Sequence, residues 1–160
     1  KGTGDFDGDG KSDILLQYAD TGACYVWEMG ADGMSVKKYG FIGGENGPGA
    51  KWQVKGVGDI DGDGKSDILL QNAVDGACFV WEMDGLKLKD GGSGFVGWTP
   101  GKDWQVAATG DYNGDHKSDI LLHNANDGSY FVWQMDGLAL VPNGSNFVGW
   151  ATASEWHAVA

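Results

Sequence analysis

The sequence predicts an all-β fold of three four-stranded antiparallel blades in a β-propeller-like arrangement. An acidic segment of nine residues occurs three times, beginning at Asp5, Asp59 and Asp111. Between the copies, short apolar runs alternate with Asp-Gly turns, and no stretch has the period of an amphipathic helix. Repeated four-stranded units of about 50 residues are typical of propeller blades.

The elements of a repeat follow one another in the same order each time. The apolar run after the acidic segment, such as Ile14-Leu15-Leu16, has the length of a buried strand. After a turn comes a strand centred on tryptophan, at 24–29, and an Asp-Gly turn then leads to a third, alternating strand. We expect the fourth strand of each unit to open with a tryptophan, at Trp52, Trp104 and Trp156.

The chain is predicted to form a single repeat module over 1–160. We place its repeats at 4–57, 58–109 and 110–160, and the two chain ends nearly complete one repeat between them. This pattern fits a fragment of a larger ring, copies that self-assemble, or a compact three-fold closure. Because the end units of a repeat array expose apolar faces, we expect either ring closure or self-association.

Each acidic segment has the composition of a loop that wraps calcium. Ca²⁺ prefers about six to eight oxygen ligands, and alternate side chains of a tight loop can all turn inward. We therefore predict one Ca²⁺ in each of three loops, bound by four side chains and by the backbone carbonyl of a lysine whose side chain points to solvent. The predicted metal ligands are Asp5, Asp7, Asp9, Lys11 and Asp13; Asp59, Asp61, Asp63, Lys65 and Asp67; and Asp111, Asn113, Asp115, Lys117 and Asp119.

Two alternatives to this calcium loop are weaker. An EF-hand requires a glutamate at the twelfth position, where the first loop has Leu16 and an apolar run follows. An acidic turn without metal would not explain three crowded groups of carboxylates at one repeat position. The third site should be the weakest, since Asn113 removes a charge and His116 replaces glycine at a sharp bend.

The charge of the chain restricts its partners and location. The formal net charge is −12, and the three loops hold eleven of the 23 acidic residues. We therefore expect no binding to nucleic acid. No apolar run approaches the roughly 18 residues of a membrane helix, so we expect no membrane insertion. Modest calcium sites fill at millimolar extracellular concentrations, which predicts a secreted protein.

The repeated segment resembles the FG-GAP/VCBS-type calcium-loop repeats of secreted bacterial proteins, which are related to the blades of integrin α-subunit propellers. The resemblance rests on residues 4–15 and their copies, together with Val26-Trp27-Glu28-Met29. It implies a blade fold, calcium in the loops, an extracellular setting, and a role in adhesion or carbohydrate binding. Propellers of this family have seven blades, which three cannot close, and the Gly-Ala-Pro element of the family name is absent here.

Two tryptophans outside the regular pattern are candidate ligand-binding residues. Trp98 and Trp150 precede polar loops, and Gly44 takes their place in the first repeat. A tryptophan at the mouth of a loop can stack on the apolar face of a sugar, although it can equally cap the blade. The remaining tryptophans recur in every repeat, which favours packing between blades.

Catalysis finds little support in the sequence. Histidines occur only in the third repeat, and Glu28 and Glu82 share one repeat position, which indicates blade structure rather than an acid–base pair. We therefore expect a non-enzymatic, calcium-stabilised module that recognises a glycan or a cell-surface partner. The alternatives are an oligomerising scaffold without a small ligand, or an accessory part of a secreted hydrolase.

The two cysteines also share one repeat position. Cys24 and Cys78 correspond to each other, and we assign Ser129 to this position in the third repeat. Equivalent positions on neighbouring blades usually lie too far apart for a disulfide. We expect two buried thiols, with pairing near a central axis as the alternative.

Overall fold

A computed structural model describes residues 1–151 and contains twelve β-strands in that range. The strands form three antiparallel sheets of four, which confirms the predicted fold class. No helix of the described residues has the length and apolar character needed to cross a membrane. The first sheet contains β1 (Gly2–Gly4), β2 (Asp13–Gln17), β3 (Cys24–Met29) and β4 (Val36–Ile42). The second contains β5 (Trp52–Gly58), β6 (Asp67–Asn72), β7 (Ala77–Asp84) and β8 (Lys87–Trp98); the third contains β9 (Trp104–Gly110), β10 (Asp119–Asn124), β11 (Ser129–Asp136) and β12 (Ala139–Trp150).

The strand that opens with tryptophan belongs to the following sheet, not to the preceding one as expected. Strand β5 pairs with β6 in a register that joins Gly58 to Asp67, and β9 pairs with β10 in the same way. The acidic loop is short enough to connect antiparallel neighbours, so it lies within a sheet rather than between two units. The chain crosses between sheets in the glycine-rich segments instead. The repeat boundaries at 57 and 109 stay a prediction, and Trp156 lies outside the described residues.

The core is divided between two interfaces, each made by unlike faces of consecutive sheets. We call the face that carries the tryptophan of β3, β7 or β11 the front face, and the opposite one the rear face. The rear face of the first sheet packs on the front face of the second, and the rear face of the second packs on the front face of the third. The first core includes Leu15, Val26, Ile42, Ile68, Leu70, Trp81 and Met83; the second includes Leu69, Val80, Val96, Ile120, Leu122, Trp133 and Met135.

A glutamine at the end of one strand binds the backbone of the next sheet. The Gln17 side chain donates to the Trp52 carbonyl at 3.0 Å and accepts from the Val54 amide at 3.0 Å. Gln71 makes the same pair of bonds to the third sheet. These bonds satisfy backbone groups at a buried contact, where an unpaired group would cost about 1–3 kcal/mol.

The three sheets form an open stack in chain order. Over 1–151 they do not close into a ring, so the expected alternative of a compact three-fold closure is not what these residues form. The two thiols are free because Cys24 lies in the first core and Cys78 in the second. Burial raises the pKa of Cys24 to about 11 and that of Cys78 to about 12.

The assignment of Ser129 to the cysteine position is wrong. Cys24 pairs with Gln17 and Cys78 with Gln71, whereas the partner of His123 in the same register is Tyr130. The third sheet therefore has a tyrosine at this position of its rear face, where the first two sheets have a small buried thiol.

Candidate metal centres

Each acidic loop folds around the carboxylate of its first aspartate. Asp5 accepts hydrogen bonds from the backbone amides of Gly8, Asp9 and Gly10 at 2.7–3.0 Å. Gly8 and Gly10 have φ values of 76° and 84°, a left-handed conformation that glycine adopts without the steric cost of a side chain. Asp59 is wrapped by the second loop in the same way.

Three carboxylates converge in each of the first two loops. The ligand oxygens of Asp5, Asp7 and Asp13 lie within 4.8 Å of one another. The last of these, Asp13, is buried and accepts from the amides of Phe6 and Met29 at 3.0 and 2.8 Å, which fixes the loop to β3. Asp59, Asp61 and Asp67 form the same group in the second loop. An all-oxygen set with free lone pairs fits a hard divalent cation, and these clusters could hold a metal ion.

In the first two loops the fourth predicted carboxylate, Asp9 or Asp63, lies outside this group of three. Asp9 accepts from the Lys11 ammonium at 3.1 Å instead. Lys65 and Lys117, at the same loop position as Lys11, turn away from their loops to bind Asp84 and Asp136. The lysine carbonyls stay predicted ligands.

Two lysines on the fourth strands bind the loop carboxylates, and sequence reasoning missed both. The Lys37 ammonium lies 2.7 Å from Asp7 Oδ2 and 3.7 Å from Asp9 Oδ2. Lys89 contacts Asp61 and lies 3.1 Å from Asp63 Oδ2, and these two carboxylates raise its pKa. The sequence does contain a signal for them, because both lysines come five residues after the Asp of an Asp-Gly turn. The third repeat has Val141 at this position.

A buried glutamate lies beside each of the first two loops. Glu28 is only 2% exposed, and its Oε2 atom has no hydrogen-bond partner among the described residues. Burial and the nearby Asp7 charge raise its pKa, and burial and Asp61 do the same for Glu82. Glu28 and Asp7 line a cleft of about 390 Å³ between the first and second sheets. An additional cation in this region would satisfy the Glu28 oxygen that the described residues leave without a partner.

The buried aspartate at the base of the second loop holds its proton unusually firmly. Burial raises the pKa of Asp67 to about 7, and the neighbouring Asp61 acts in the same direction. The pKa of Asp13 is also raised, again chiefly by burial. A bound divalent ion would favour the charged form of both groups, so metal and proton compete for these carboxylates.

The third loop has the same backbone path but a different charge arrangement. Asp111 accepts from the amides of Gly114 and His116 at 2.6 and 2.9 Å. His116 has φ 69°, so the histidine does adopt the left-handed conformation that its position requires. The side-chain amide of Asn113 donates to Asp115 Oδ2 at 2.9 Å, the role that a lysine ammonium has in the other loops.

The loops lie within their own sheets, yet the first two are joined to the next sheet by backbone hydrogen bonds. The Ser66 amide donates to the Asp5 carbonyl at 2.6 Å, and the Asp5 amide donates to Ser66 Oγ at 3.0 Å. Next to them, the Gly85 amide donates to the Phe6 carbonyl at 2.9 Å. The Ser118 amide binds the Asp59 carbonyl in the same way at the following contact. A cation in the loop would thus stabilise the contact between two sheets.

Trp98 and Trp150 are the last residues of β8 and β12, and Trp150 lines a groove together with Tyr112 of the third loop. They are 63% and 65% exposed, and each packs against a phenylalanine of its own strand, Phe95 or Phe147, with ring centroids 4.2 and 4.4 Å apart. Both therefore present a supported aromatic surface to solvent.

The repeated tryptophans mostly pack between sheets as expected. Trp81 and Trp133 are buried, and Trp52 and Trp104 make edge contacts with phenylalanines of their own sheets. Trp27 departs from this pattern because it is 37% exposed.

Comparison with known proteins identifies one family. No curated protein and no solved structure matches the chain. A family model described as an FG-GAP-like repeat matches residues 5–70 and again residues 59–122. Both matches begin at the first aspartate of an acidic loop and end in the apolar strand of the next repeat. Since the matches cover more than half of the chain and coincide with its loops, the chain belongs to the FG-GAP-like repeat family.

Proposed function

We propose that this chain is a calcium-stabilised recognition module of a secreted protein that binds carbohydrate or a cell-surface partner. The observation that carries the calcium assignment is the convergence of three carboxylates in each of two loops, at the same repeat position. The family membership supports a repeated β-structure module, and such repeats are in general non-catalytic. We propose a non-catalytic role here as well.

The donor chemistry favours calcium over other metals. The first two loops offer carboxylate and carbonyl oxygens, with no cysteine or histidine among the predicted ligands. Softer metals prefer sulfur and imidazole ligands, whereas Mg²⁺ usually keeps several waters in a strict octahedron. A loop with several carboxylates suits the larger and less regular calcium coordination sphere.

Calcium would have a structural role in this module. Asp13 and Asp67 connect their loops to the third strand of the same sheet, and the Asp5 backbone connects its loop to the next sheet. Neutralising the clustered charge would hold these connections together. Sites of this kind fill at extracellular calcium concentrations, which supports a secreted protein.

The residues proposed for recognition are Trp98 in the second sheet and Trp150 in the third, and each forms an aromatic surface with a phenylalanine of its own strand. An exposed aromatic ring held by a neighbouring ring offers an apolar platform with little conformational entropy to lose, and sugars stack on such platforms through their C–H faces. The Thr99 hydroxyl bonds the Gly76 carbonyl at 3.3 Å, which anchors the chain directly after Trp98.

A glycan array probed in calcium and in EDTA tests this function. The wild type should bind a restricted set of glycans in calcium, and the double variant Trp98→Ala with Trp150→Ala should lose at least about tenfold in affinity, or 1.4 kcal/mol. Val74→Ala is the matched control, because Val74 is 63% exposed in a turn of the second sheet. Wild-type protein that binds no glycan, or tryptophan variants that bind as well as the control, would refute carbohydrate recognition through this surface.

A further inference from the structure

Two faces of the stack have no partner sheet over 1–151: the front face of the first sheet and the rear face of the third. Rear-face positions that are buried in the first two sheets are open in the third. Ile42 is 0% and Val96 7% exposed, but the equivalent Val148 is 62% exposed. Phe6 and Ile60 are fully buried, while the equivalent Tyr112 is 47% exposed. Tyr112 and Val148 line one groove of about 300 Å³ with Leu121, Tyr130 and Val132.

The front face of the first sheet carries the apolar residues that would fill such a groove. Trp27 is 37% exposed, whereas Trp81 and Trp133, at the same position of the other sheets, are 8% and 7% exposed. Leu16 is 38% exposed, although the equivalent Leu70 and Leu122 are buried in the two cores.

Each internal contact places a tryptophan over a glycine of the preceding sheet. A Cβ atom at Gly43 would lie 3.2 Å from the Trp81 ring, and one at Gly97 would lie 3.2 Å from the Trp133 ring. The equivalent glycine of the third sheet, Gly149, has nothing within 4 Å of this position. The described chain therefore has one tryptophan without its glycine, Trp27, and one glycine without its tryptophan.

At the two ends of the stack, one donor and one acceptor of the hydrogen bonds between sheets have no partner among the described residues. Ser66 and Ser118 donate backbone hydrogen bonds to Asp5 and Asp59 of the preceding loop. Ser12, at the same position of the first sheet, is exposed and makes no such bond among the described residues. The Asp111 carbonyl of the third loop likewise accepts no bond from them.

We propose that a second copy of this chain docks head to tail, with the front face of its first sheet on the rear face of the third sheet. Trp27 of one copy would lie over Gly149 of the other, and Ser12 would bind the Asp111 carbonyl, which continues the two interfaces already present within the chain. Joining unlike faces makes the contact heterologous, so it generates a ring or an open filament.

Three substitutions distinguish the contact between copies from the internal ones. Tyr130 replaces a cysteine, His123 replaces the bridging glutamine, and Asn146 replaces Gly40 and Gly94, which receive a leucine of the next sheet. In the docked pair, Asn146 would contact Met34 of the other copy, which has the position of Leu86 and Leu138 in its own sheet. The flexible side chain of methionine can pack around a larger neighbour. These changes alter the part of the contact around Tyr130 and Asn146, where the internal contacts have a buried cysteine and a glycine, and leave the pair of Trp27 and Gly149 unchanged.

Sedimentation velocity and native mass spectrometry in calcium test the proposal with two complementary variants. Trp27→Glu disrupts only the front face, and Gly149→Glu places a charge on only the rear face, in space that is open in the single chain. Wild-type protein should form dimers or larger species below about 100 µM, and each variant alone should be monomeric. An equal mixture should give a dimer of one copy of each variant and nothing larger, because each variant retains one intact face.

Val74→Glu, in an exposed turn of the second sheet, should associate like the wild type. Thermal melting confirms that the variants fold, and Leu16→Glu replaces Trp27→Glu on the front face if that variant does not. A wild type that stays monomeric, a Gly149→Glu variant that still self-associates, or a mixture without the mixed dimer would each overturn the proposal.

Discussion

The second acidic loop has four aspartates, two of which contact the ammonium of Lys89 on the fourth strand, whereas the third loop has three aspartates and an asparagine, and its sheet has no lysine at the position of Lys89. The side-chain amide of Asn113 donates to Asp115 at 2.9 Å, and Lys89 makes the equivalent contact to Asp63 at 3.1 Å. The first loop resembles the second, with Lys37 in the place of Lys89. Both arrangements supply one positively polarised N–H group to the aspartate in the middle of the loop.

The difference shows that the charge around the loops is balanced in two ways. The lysine that every loop contains is left out of this comparison. In the first two repeats, four loop aspartates and one fourth-strand lysine sum to a charge of −3; in the third repeat, three loop aspartates alone give the same charge. The first two repeats add Glu28 or Glu82 beside the loop, where the third has Gln134. The third loop thus has fewer carboxylates to neutralise, and it should depend on calcium least.

The largest expected difference between the loops is in their response to pH without calcium. The pKa of Asp67 is about 7 in the folded protein and about 3.9 in an unfolded chain. Between these values the folded state binds more protons, so the stability of the chelated protein should fall as pH rises, by up to about 1.4 kcal/mol per pH unit. Urea unfolding in EDTA from pH 4 to pH 8 measures this slope.

The variant Asp67→Asn is the control for the pH dependence. It should flatten the slope between pH 4 and pH 7, because the group that takes up the proton is gone. A chelated wild-type protein whose stability rises steadily with pH over this range would show that other carboxylates dominate.

The buried glutamates should give the next largest effect. Glu28→Gln removes an unpaired buried charge and creates the residue that the third repeat has naturally, so it should stabilise the chelated protein by about 1–3 kcal/mol. The reciprocal change Gln134→Glu should destabilise it. The gain from Glu28→Gln should shrink in saturating calcium, since a bound cation offsets the negative charge. An equal gain in stability from Glu28→Gln with and without calcium would show that the Glu28 charge does not act on the metal site.

Converting the second loop into the third is expected to have the smallest effect. The double variant Asp61→Asn with Lys89→Val gives the second loop the charges of the third, and Asn113→Asp with Val141→Lys does the reverse. Calcium affinity should fall in the first variant and rise in the second by about tenfold, which is 1.4 kcal/mol. Isothermal titration calorimetry of both variants checks this exchange, and unchanged affinities would contradict the ligand roles of Asp61 and Asn113.

The sequence predicts the local features of this molecule well because they repeat. Regular spacing of acidic loops, Asp-Gly turns and apolar runs is sufficient to predict three sheets of four strands and the left-handed bend at His116. It does not show to which sheet the strand beginning at Trp52 belongs, because a repeat of fixed length can be divided at any point. Only the register that pairs Gly58 with Asp67 decides that question.

Contacts between distant residues are the part of the site that the sequence conceals. Lys37 binds Asp7 from 30 residues away, and Lys89 binds Asp61 from 28 residues away. The same holds for the burial of Glu28, which depends on the packing of the second sheet against the first. The unmatched pair of Trp27 and Gly149 becomes visible only when the faces of the sheets are compared.

A calcium titration of the chelated protein tests the central claim most directly. Native mass spectrometry and calorimetry should show three bound ions, the weakest in the third loop. At free calcium about 100 times the dissociation constant, each site should add about 2.7 kcal/mol of stability, or about 5–10 °C in melting temperature. A chain that takes up no calcium at millimolar concentrations, or that melts at the same temperature with and without EDTA, would contradict the account.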